Sequence, residues 1–178
     1  MPLVFTKRAF LSVLTSFLLL SNFCYSQQKK EIKWLNIHEV EALMKNKPKK
    51  ILIDVYTDWC GWCKTMDKKT YQNDDVVEII NRDFYAVKLN AETRDTITFN
   101  KKIYAYNANY KCNEFAAAIL NGHMAYPNTI FLDEKLQLLT NLTGFINSDE
   151  FIPILNYFAE NHYLSKKWEE YKSTLKKM

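Results

Sequence analysis

Two cysteines separated by two residues, Cys60 and Cys63, are the residues of this 178-residue chain whose types and spacing point most directly to chemistry. An apolar run at residues 51–56 ends just before them, and helix-compatible sequence begins at Lys64. The pair therefore lies where a strand passes into a helix. A cysteine at a helix N-terminus faces unpaired backbone N–H groups and the positive end of the helix dipole, and both favour the reactive thiolate. The spacing and the position together predict a redox-active dithiol.

Half of a zinc site is the alternative interpretation of such a pair. Structural zinc takes four Cys or His ligands, which usually come as two spaced pairs. Beyond residue 26 the remaining residues of these types are single and far apart: Cys112, His38, His123 and His162. We therefore favour redox chemistry and predict neither a metal site nor a cofactor.

The N-terminal segment differs in composition from the rest of the chain. A basic start is followed by an apolar run at residues 9–20 and by small residues at Cys24 and Ser26. This layout predicts a secretory signal peptide over residues 1–26, and the mature domain then spans residues 27–178. The apolar run is shorter than the about 20 residues of a membrane span, but an uncleaved anchor stays open as an alternative, as does a lipid-modified Cys24. We expect an exported protein, periplasmic or otherwise extracytoplasmic.

Composition and periodicity predict one α/β domain. The net charge of +4 gives no indication of nucleic-acid binding, and we expect a monomer. Apolar patterns follow one another in the order β-α-β-α-β-β-α, which predicts a central mixed β-sheet flanked by helices on both faces. Weak alternation in residues 96–99 and 103–106 predicts a hairpin between the middle strand and the next helix.

The chain resembles the thioredoxin superfamily over about residues 31–160. The stretches that carry the resemblance are Ile51-Leu52-Ile53-Asp54, Trp59-Cys60-Gly61-Trp62-Cys63-Lys64, Val87-Lys88-Leu89-Asn90 and Tyr126-Pro127. Within the superfamily it is most similar to exported bacterial members such as the C-terminal domain of DsbD. Two departures stand out, since Gly-Trp replaces the usual Gly-Pro between the cysteines and residues 91–123 are longer than in a minimal thioredoxin.

The resemblance implies a role for each residue of the redox centre. Cys60 would be the exposed nucleophile, and Cys63 would be the thiol that resolves the mixed disulfide. Asp54 lies on a strand that should be buried on both faces, so its pKa should be raised and it could accept the proton of Cys63. Lys88 on the neighbouring strand is the candidate ion-pair partner of Asp54. The alternatives are a solvated acid at a strand end and an ordinary exposed lysine.

The resemblance also implies a substrate-binding surface beside the disulfide. Pro127 should be cis, which would leave the backbone of Tyr126 free to pair with a substrate strand. Trp59 and Trp62 should be partly exposed next to Cys60, although core packing is the alternative for both. Cys112 is expected to be an inert packed thiol.

Two functions from different classes remain. The first is an exported thiol–disulfide oxidoreductase that reduces or isomerises protein disulfides, with protein thiol and disulfide substrates and a membrane electron donor of the DsbD type as partners. The second is a binding or chaperone module of the same fold, whose disulfide is only structural.

Overall fold

The computed structural model describes residues 30–175. The predicted leader, residues 1–26, lies outside the described residues. In chain order the elements are β1 (Trp34–Leu35), α1 (Ile37–Asn46), β2 (Lys50–Tyr56), α2 (Gly61–Lys69), α3 (Asp74–Asp83), β3 (Phe84–Asn90), β4 (Ile97–Phe99), β5 (Lys102–Tyr104), β6 (Tyr106–Asn107), β7 (Cys112–Asn113), α4 (Glu114–Ile119), β8 (Asn128–Leu132), β9 (Leu138–Thr143), α5 (Ser148–Ala159), a 3-10 turn (His162–Leu164) and α6 (Trp168–Leu175). Within residues 30–175, none of the helices combines the length and the apolar character that a membrane crossing requires.

A five-stranded mixed sheet forms the centre of the fold, in the order β1-β3-β2-β8-β9. The first three strands pair in parallel, whereas β8 runs antiparallel to β2 and β9 antiparallel to β8. The predicted α/β class, with a mixed central sheet, is confirmed. The central strand β2 is flanked on both sides, and its register places Asp54 opposite Lys88 of β3 and Thr129 of β8.

Two apolar cores cover the two faces of the sheet, because side chains of a strand alternate between its faces. On one face Leu52 of β2 packs with Met66 of α2 and with residues of α3 and α5. On the other face Ile51 and Ile53 pack with residues of α1 and α4. Asp54 has the same parity as Leu52, so it lies on the face that α2 covers.

Side-chain caps fix where two of the helices begin. Asn36 and Glu39 form a capping box at α1, and Asn73 accepts two backbone N–H groups at the start of α3. The Asn73 cap begins α3 a few residues after α2 ends at Lys69. Each cap satisfies N–H groups that a helix start leaves unpaired.

The longer segment at residues 91–123 contains two small antiparallel ladders. Strand β4 pairs with β5, which confirms the predicted hairpin, and β6 pairs with β7. Helix α4 follows directly, and its Phe115 and Ala116 are buried in the core on the α1 side of the sheet. The segment is therefore packed against the domain through α4.

Candidate active site

The two cysteines form a disulfide at the N-terminus of α2. The S–S distance is 2.05 Å, and Cys60 is the N-cap residue, whose sulfur accepts the backbone N–H of Cys63 at 3.1 Å. The backbone N–H of Cys60 donates to the carbonyl of Thr57 in the turn that leaves β2. The strand end and the helix start thus hold the first sulfur against the first turn of α2, where N–H groups and the helix dipole stabilise negative charge.

Both cysteines are buried in this oxidised state. Cys60 is 5% exposed and Cys63 is 3% exposed, so the predicted exposure of Cys60 is wrong for the disulfide form. The physical reason is that the Cys60 sulfur is bonded to Cys63 and turned towards the N–H groups of α2. The exposed surface of the motif belongs to its tryptophans, since Trp59 is 67% and Trp62 is 63% exposed, as predicted.

Asp54 is buried beneath this end of the sheet and pairs with Lys88. The Asp54 side chain is 2% exposed, and its Oδ2 lies 2.7 Å from Lys88 Nζ. The other carboxylate oxygen, Oδ1, is buried without a hydrogen-bond partner among the described residues. Both the predicted burial and the predicted ion pair are confirmed. A buried carboxylate with one unsatisfied oxygen is costly to ionise.

The pKa values of both Asp54 and Lys88 are raised. Burial raises the pKa of Asp54, and the attraction of Lys88 only partly offsets that effect. Burial by itself would lower the pKa of Lys88, but the carboxylates of Asp54 and Asp67 outweigh it and the pKa is raised. Lys88 therefore stays protonated and positively charged, whereas ionisation of Asp54 is disfavoured.

Asp67 is the second carboxylate on Lys88. It lies on α2, four residues after Cys63, and its Oδ1 accepts a hydrogen bond and ion pair from Lys88 Nζ. Its side chain is 43% exposed, in contrast to Asp54. The ammonium group also lies 5.1 to 5.4 Å from the ring centroids of Trp34, Tyr56 and Tyr71. These contacts fix the position of the Lys88 ammonium between the two carboxylates.

A surface cleft reaches the Lys88 side chain. The cleft has a volume of about 260 Å³, and Asp67, Lys88, Trp34 and Tyr71 are among the residues that line it. Tyr71, which follows α2, is buried, and burial together with the charge of Asp54 holds its pKa well above the ordinary value. The Tyr71 hydroxyl lies 3.5 Å from Thr129 Oγ1 of β8.

Trp59, which precedes Cys60, is held by two contacts. Its indole Nε1 donates to Glu92 Oε1 at 2.9 Å, and its ring meets the Tyr126 ring edge-on with centroids 5.9 Å apart. Burial, with the nearby Cys112 and Glu92, raises the pKa of Tyr126 to about 12, so its hydroxyl stays neutral. Trp62 rests instead on Phe145, with centroids 5.6 Å apart. The two tryptophan rings therefore pack against different parts of the fold.

The bond between Tyr126 and Pro127 is cis, as predicted. The backbone N–H and C=O of Tyr126 have no hydrogen-bond partner within residues 30–175. By contrast, the carbonyl of Pro127 accepts the N–H of Gly144 at 2.8 Å. Tyr126 thus presents free backbone groups beside Trp59.

Asn113 joins two parts of the longer segment, the start of α4 and the loop that carries Glu92. It is fully buried, and its backbone N–H donates to the Ala91 carbonyl at 2.7 Å. Its side-chain amide donates to the carbonyls of Thr93 and Asp95 and accepts the N–H of Phe115. The neighbouring Cys112 is a free buried thiol whose pKa is raised by burial. Cys112 is therefore a packed, buried thiol in this structure.

Sequence reasoning missed Asp67, Glu92 and Asn113. A signal existed for Asp67, because its spacing of four residues from Cys63 places both on one face of a helix. The sequence contains no comparable signal for Glu92 or Asn113, since their partners lie 33 and about 20 residues away and depend on how the longer segment folds. Among residues 30–175, no group of three or more His, Cys, Asp or Glu side chains is arranged to hold a metal ion.

Comparison with known proteins links this chain to one family. Residues 18–178 match the model of the Thioredox_DsbH family, described as a protein of unknown function, DUF255. Protein B0495.5 of Caenorhabditis elegans is 31% identical over 104 residues, which are 58% of this chain and 12% of that protein. Human spermatogenesis-associated protein 20 is 25% identical over 135 residues, which are 76% of this chain and 15% of that protein. The chain thus spans only a small part of these two relatives.

Solved structures show the same fold at low sequence identity. A structure described as DsbH oxidoreductase has a TM-score of 0.53 and 13% identity, with 73% of this chain and 85% of that chain covered. A thioredoxin-fold protein from Helicobacter pylori has a TM-score of 0.57 and 17% identity, with 84% and 86% covered. A thioredoxin from Thermus thermophilus has a TM-score of 0.55 and 15% identity, with 72% and 87% covered. These likenesses establish the thioredoxin fold.

Proposed function

Because this chain belongs to the Thioredox_DsbH family, we propose that it is a thiol–disulfide oxidoreductase that reduces or isomerises protein disulfides through Cys60 and Cys63. The observation that carries the proposal is the Cys60–Cys63 disulfide at the N-terminus of α2, on the face of the sheet that also holds buried Asp54. A structural staple would need no such acid. A buried carboxylate costs stability, and perturbed groups of this kind cluster at functional sites.

The proposed reaction begins with the reduced protein. The Cys60 thiolate attacks one sulfur of a substrate disulfide, so that a Cys60–substrate disulfide forms and the other substrate sulfur leaves as a thiolate. The Cys63 thiol then gives its proton to the Asp54 carboxylate and attacks the Cys60 sulfur. The Cys60–Cys63 disulfide closes and the second substrate thiolate is released. Two electrons pass from the protein dithiol to the substrate disulfide. The two substrate thiolates are protonated, one by the proton that Asp54 accepted and one by a proton from solvent, and the Asp54 carboxylate is regenerated.

The surface around the disulfide suits an extended polypeptide substrate. Trp59 and Trp62 offer exposed aromatic area next to Cys60, and Tyr126 offers an unpaired backbone N–H and C=O. Backbone pairing of this kind recognises a strand without regard to its sequence, whereas the indole rings add apolar contact. Tyr126 and Pro127 would therefore line the position of the substrate strand.

The charges near the disulfide favour the reducing direction. A strong oxidant of this fold makes its first thiolate very stable, and that lowers the stability of its disulfide. The two residues between the cysteines, Gly61 and Trp62, carry no positive charge. Asp54, when ionised, disfavours a second negative charge nearby. A reductant outside the cytoplasm cannot recharge itself, so export would require a membrane electron donor of the DsbD type as partner.

One observation favours a second candidate function, a peptide-binding or chaperone module. The exposed indole rings of Trp59 and Trp62 provide an apolar surface that binding alone could use. The two functions differ in whether Cys60 and Cys63 are reduced and reoxidised in each cycle.

Reduction of insulin by dithiothreitol distinguishes the two functions. We expect acceleration by the wild-type protein and by Cys112→Ala, but none by Cys60→Ala. Cys63→Ala should instead accumulate mixed disulfides on Cys60, and Cys60 should be alkylated faster than Cys63 in the reduced protein. No acceleration by the wild-type protein would favour the binding module, and faster alkylation of Cys63 would reverse the two roles.

The redox potential of the couple tests the proposed direction. Equilibration with glutathione should give a value nearer to about −270 mV, the thioredoxin end of the scale, than to about −120 mV, the strong-oxidant end. A value at the oxidant end would refute the reducing direction while leaving the redox pair itself intact. An intermediate value would favour isomerisation.

A further inference from the structure

The Lys88 ammonium group is shared between two carboxylates of very different exposure. Asp54 Oδ2 lies 2.7 Å from Lys88 Nζ, and Asp67 Oδ1 binds the same nitrogen from α2. The Asp54 side chain is 2% exposed, whereas that of Asp67 is 43% exposed. The ion-pair geometry therefore contains one cation and two acids, of which only Asp54 is buried.

Counting charges shows what the outer acid does to the inner one. With Asp67 ionised, Lys88 is already compensated, so ionisation of Asp54 leaves the group with a net charge of −1. Without Asp67, ionisation of Asp54 would compensate Lys88 and leave the group neutral. Opposite charge favours an ionised carboxylate and like charge disfavours it. Asp67 therefore strengthens Asp54 as a base.

The other charged and titratable groups do not replace Asp67 in this role. The groups that act on the charge of Asp54 are Lys88 of β3, Asp67 of α2 and Tyr71 after α2. Lys88 favours the ionised Asp54, whereas Asp67 opposes its ionisation. Tyr56 of β2 lies over Lys88 with its hydroxyl neutral. Lys30 and Glu31 line the same cleft, but the charges that act on Lys88 are those of Asp54 and Asp67.

We propose that Asp67 is a positioning residue for proton transfer at Asp54, because it draws the Lys88 ammonium towards the surface and keeps Asp54 basic enough to accept the proton of Cys63. This inference rests on the proposed function for its catalytic consequence. A general base works best when its proton affinity is matched to the operating pH. A second acid on the shared lysine is a direct way to set that affinity, and its exposed position lets solvent exchange protons with the cleft.

Titration of the Asp54 carboxyl carbon by NMR tests the inference without any assay of activity. The oxidised full chain is labelled with 13C-aspartate, and the Asp54 signal is identified by its loss in Asp54→Asn. We expect Asp67→Asn to move the midpoint to lower pH, by the order of the about tenfold change in proton affinity that a nearby charge typically causes. Lys88→Met should move it to higher pH. Asp67→Ser repeats the test if Asp67→Asn does not fold.

Glu31→Gln is the matched control, since it removes the same charge from the same cleft and should leave the midpoint unchanged. In the reduced protein, the acid limb of the pH profile for mixed-disulfide release should shift with Asp67→Asn in the same direction as the NMR midpoint. An unchanged or higher midpoint in Asp67→Asn would overturn the inference. A chain that reduces no disulfide would instead refute the proposed function, while the NMR midpoints would still decide the role of Asp67.

Discussion

Replacing Asp54 by Asn should stabilise the folded, oxidised protein at alkaline pH. The folded pKa of Asp54 is raised by burial, whereas the unfolded group titrates near an ordinary value of about 3.9. Below that value the carboxyl is protonated in both states and costs nothing. As the pH rises towards the folded pKa, the unfolded chain releases its proton and the folded chain does not, so the free energy of unfolding falls. Above the folded pKa the loss is complete and constant.

The size of the effect follows from the surroundings of Asp54. Each tenfold change in proton affinity corresponds to about 1.4 kcal/mol. Removing one partner of a buried ion pair normally costs about 3–5 kcal/mol, because the other charge is left alone. Here Lys88 keeps Asp67 and is 23% exposed, so that cost is largely avoided. We therefore expect Asp54→Asn to gain about 1–3 kcal/mol at pH 8, which corresponds to about 2–4 °C in Tm for each kcal/mol.

Urea unfolding of the oxidised protein between pH 4 and pH 8 measures the effect. The quantity of interest is the difference in free energy of unfolding between Asp54→Asn and wild type at each pH, because the other carboxyl groups cancel in it. The difference should be smallest at pH 4 and should grow with pH. Asp58→Asn, the same change at an exposed position, should give a flat difference. A variant that becomes less stable as the pH rises would show that the Lys88 ion pair outweighs desolvation.

Two further substitutions test the supports of Trp59. Glu92→Gln removes the charged acceptor of the indole N–H, so the Trp59 fluorescence should shift while the stability changes by no more than about 1 kcal/mol, as for an exposed hydrogen bond; an unchanged spectrum would contradict the contact. Asn113→Ala removes three side-chain hydrogen bonds, including the cap on Phe115, and should cost about 2–4 kcal/mol in urea unfolding. Asn109→Ala is the exposed control, and an equal loss in both would refute the role of Asn113.

The sequence was sufficient to predict the fold and the inner part of the site because both depend on local patterns. The apolar strand at residues 50–56, buried on both faces, fixes β2 at the centre of the sheet, and the cysteine spacing fixes the start of α2. Parity along β2 then determines which face Asp54 occupies. Its pairing with Lys88 follows from two parallel strands in register.

The outer part of the site depends on contacts that no local pattern encodes. Glu92 reaches Trp59 across 33 residues, and Asn113 reaches the loop after β3 only because the two ladders of the longer segment fold back on it. The predicted exposure of Cys60 failed for a related reason. Exposure depends on the direction of the sulfur, and the bond to Cys63 sets that direction in the oxidised state.

The buried acid and its shared lysine make sense together only as a compromise between stability and reactivity. Desolvation of Asp54 lowers the stability of the fold, and a second carboxylate on Lys88 increases that cost by weakening the compensation of charge. A purely structural site would favour Asn at 54 and a single acid on Lys88. The arrangement instead keeps Asp54, a proton acceptor of raised proton affinity, on the face of the sheet that α2 covers. Cys63 of α2 must lose a proton in the proposed reaction. Stability and turnover should therefore change in opposite directions when Asp54 is replaced, and a substitution that improved both would contradict the role of Asp54 as a base.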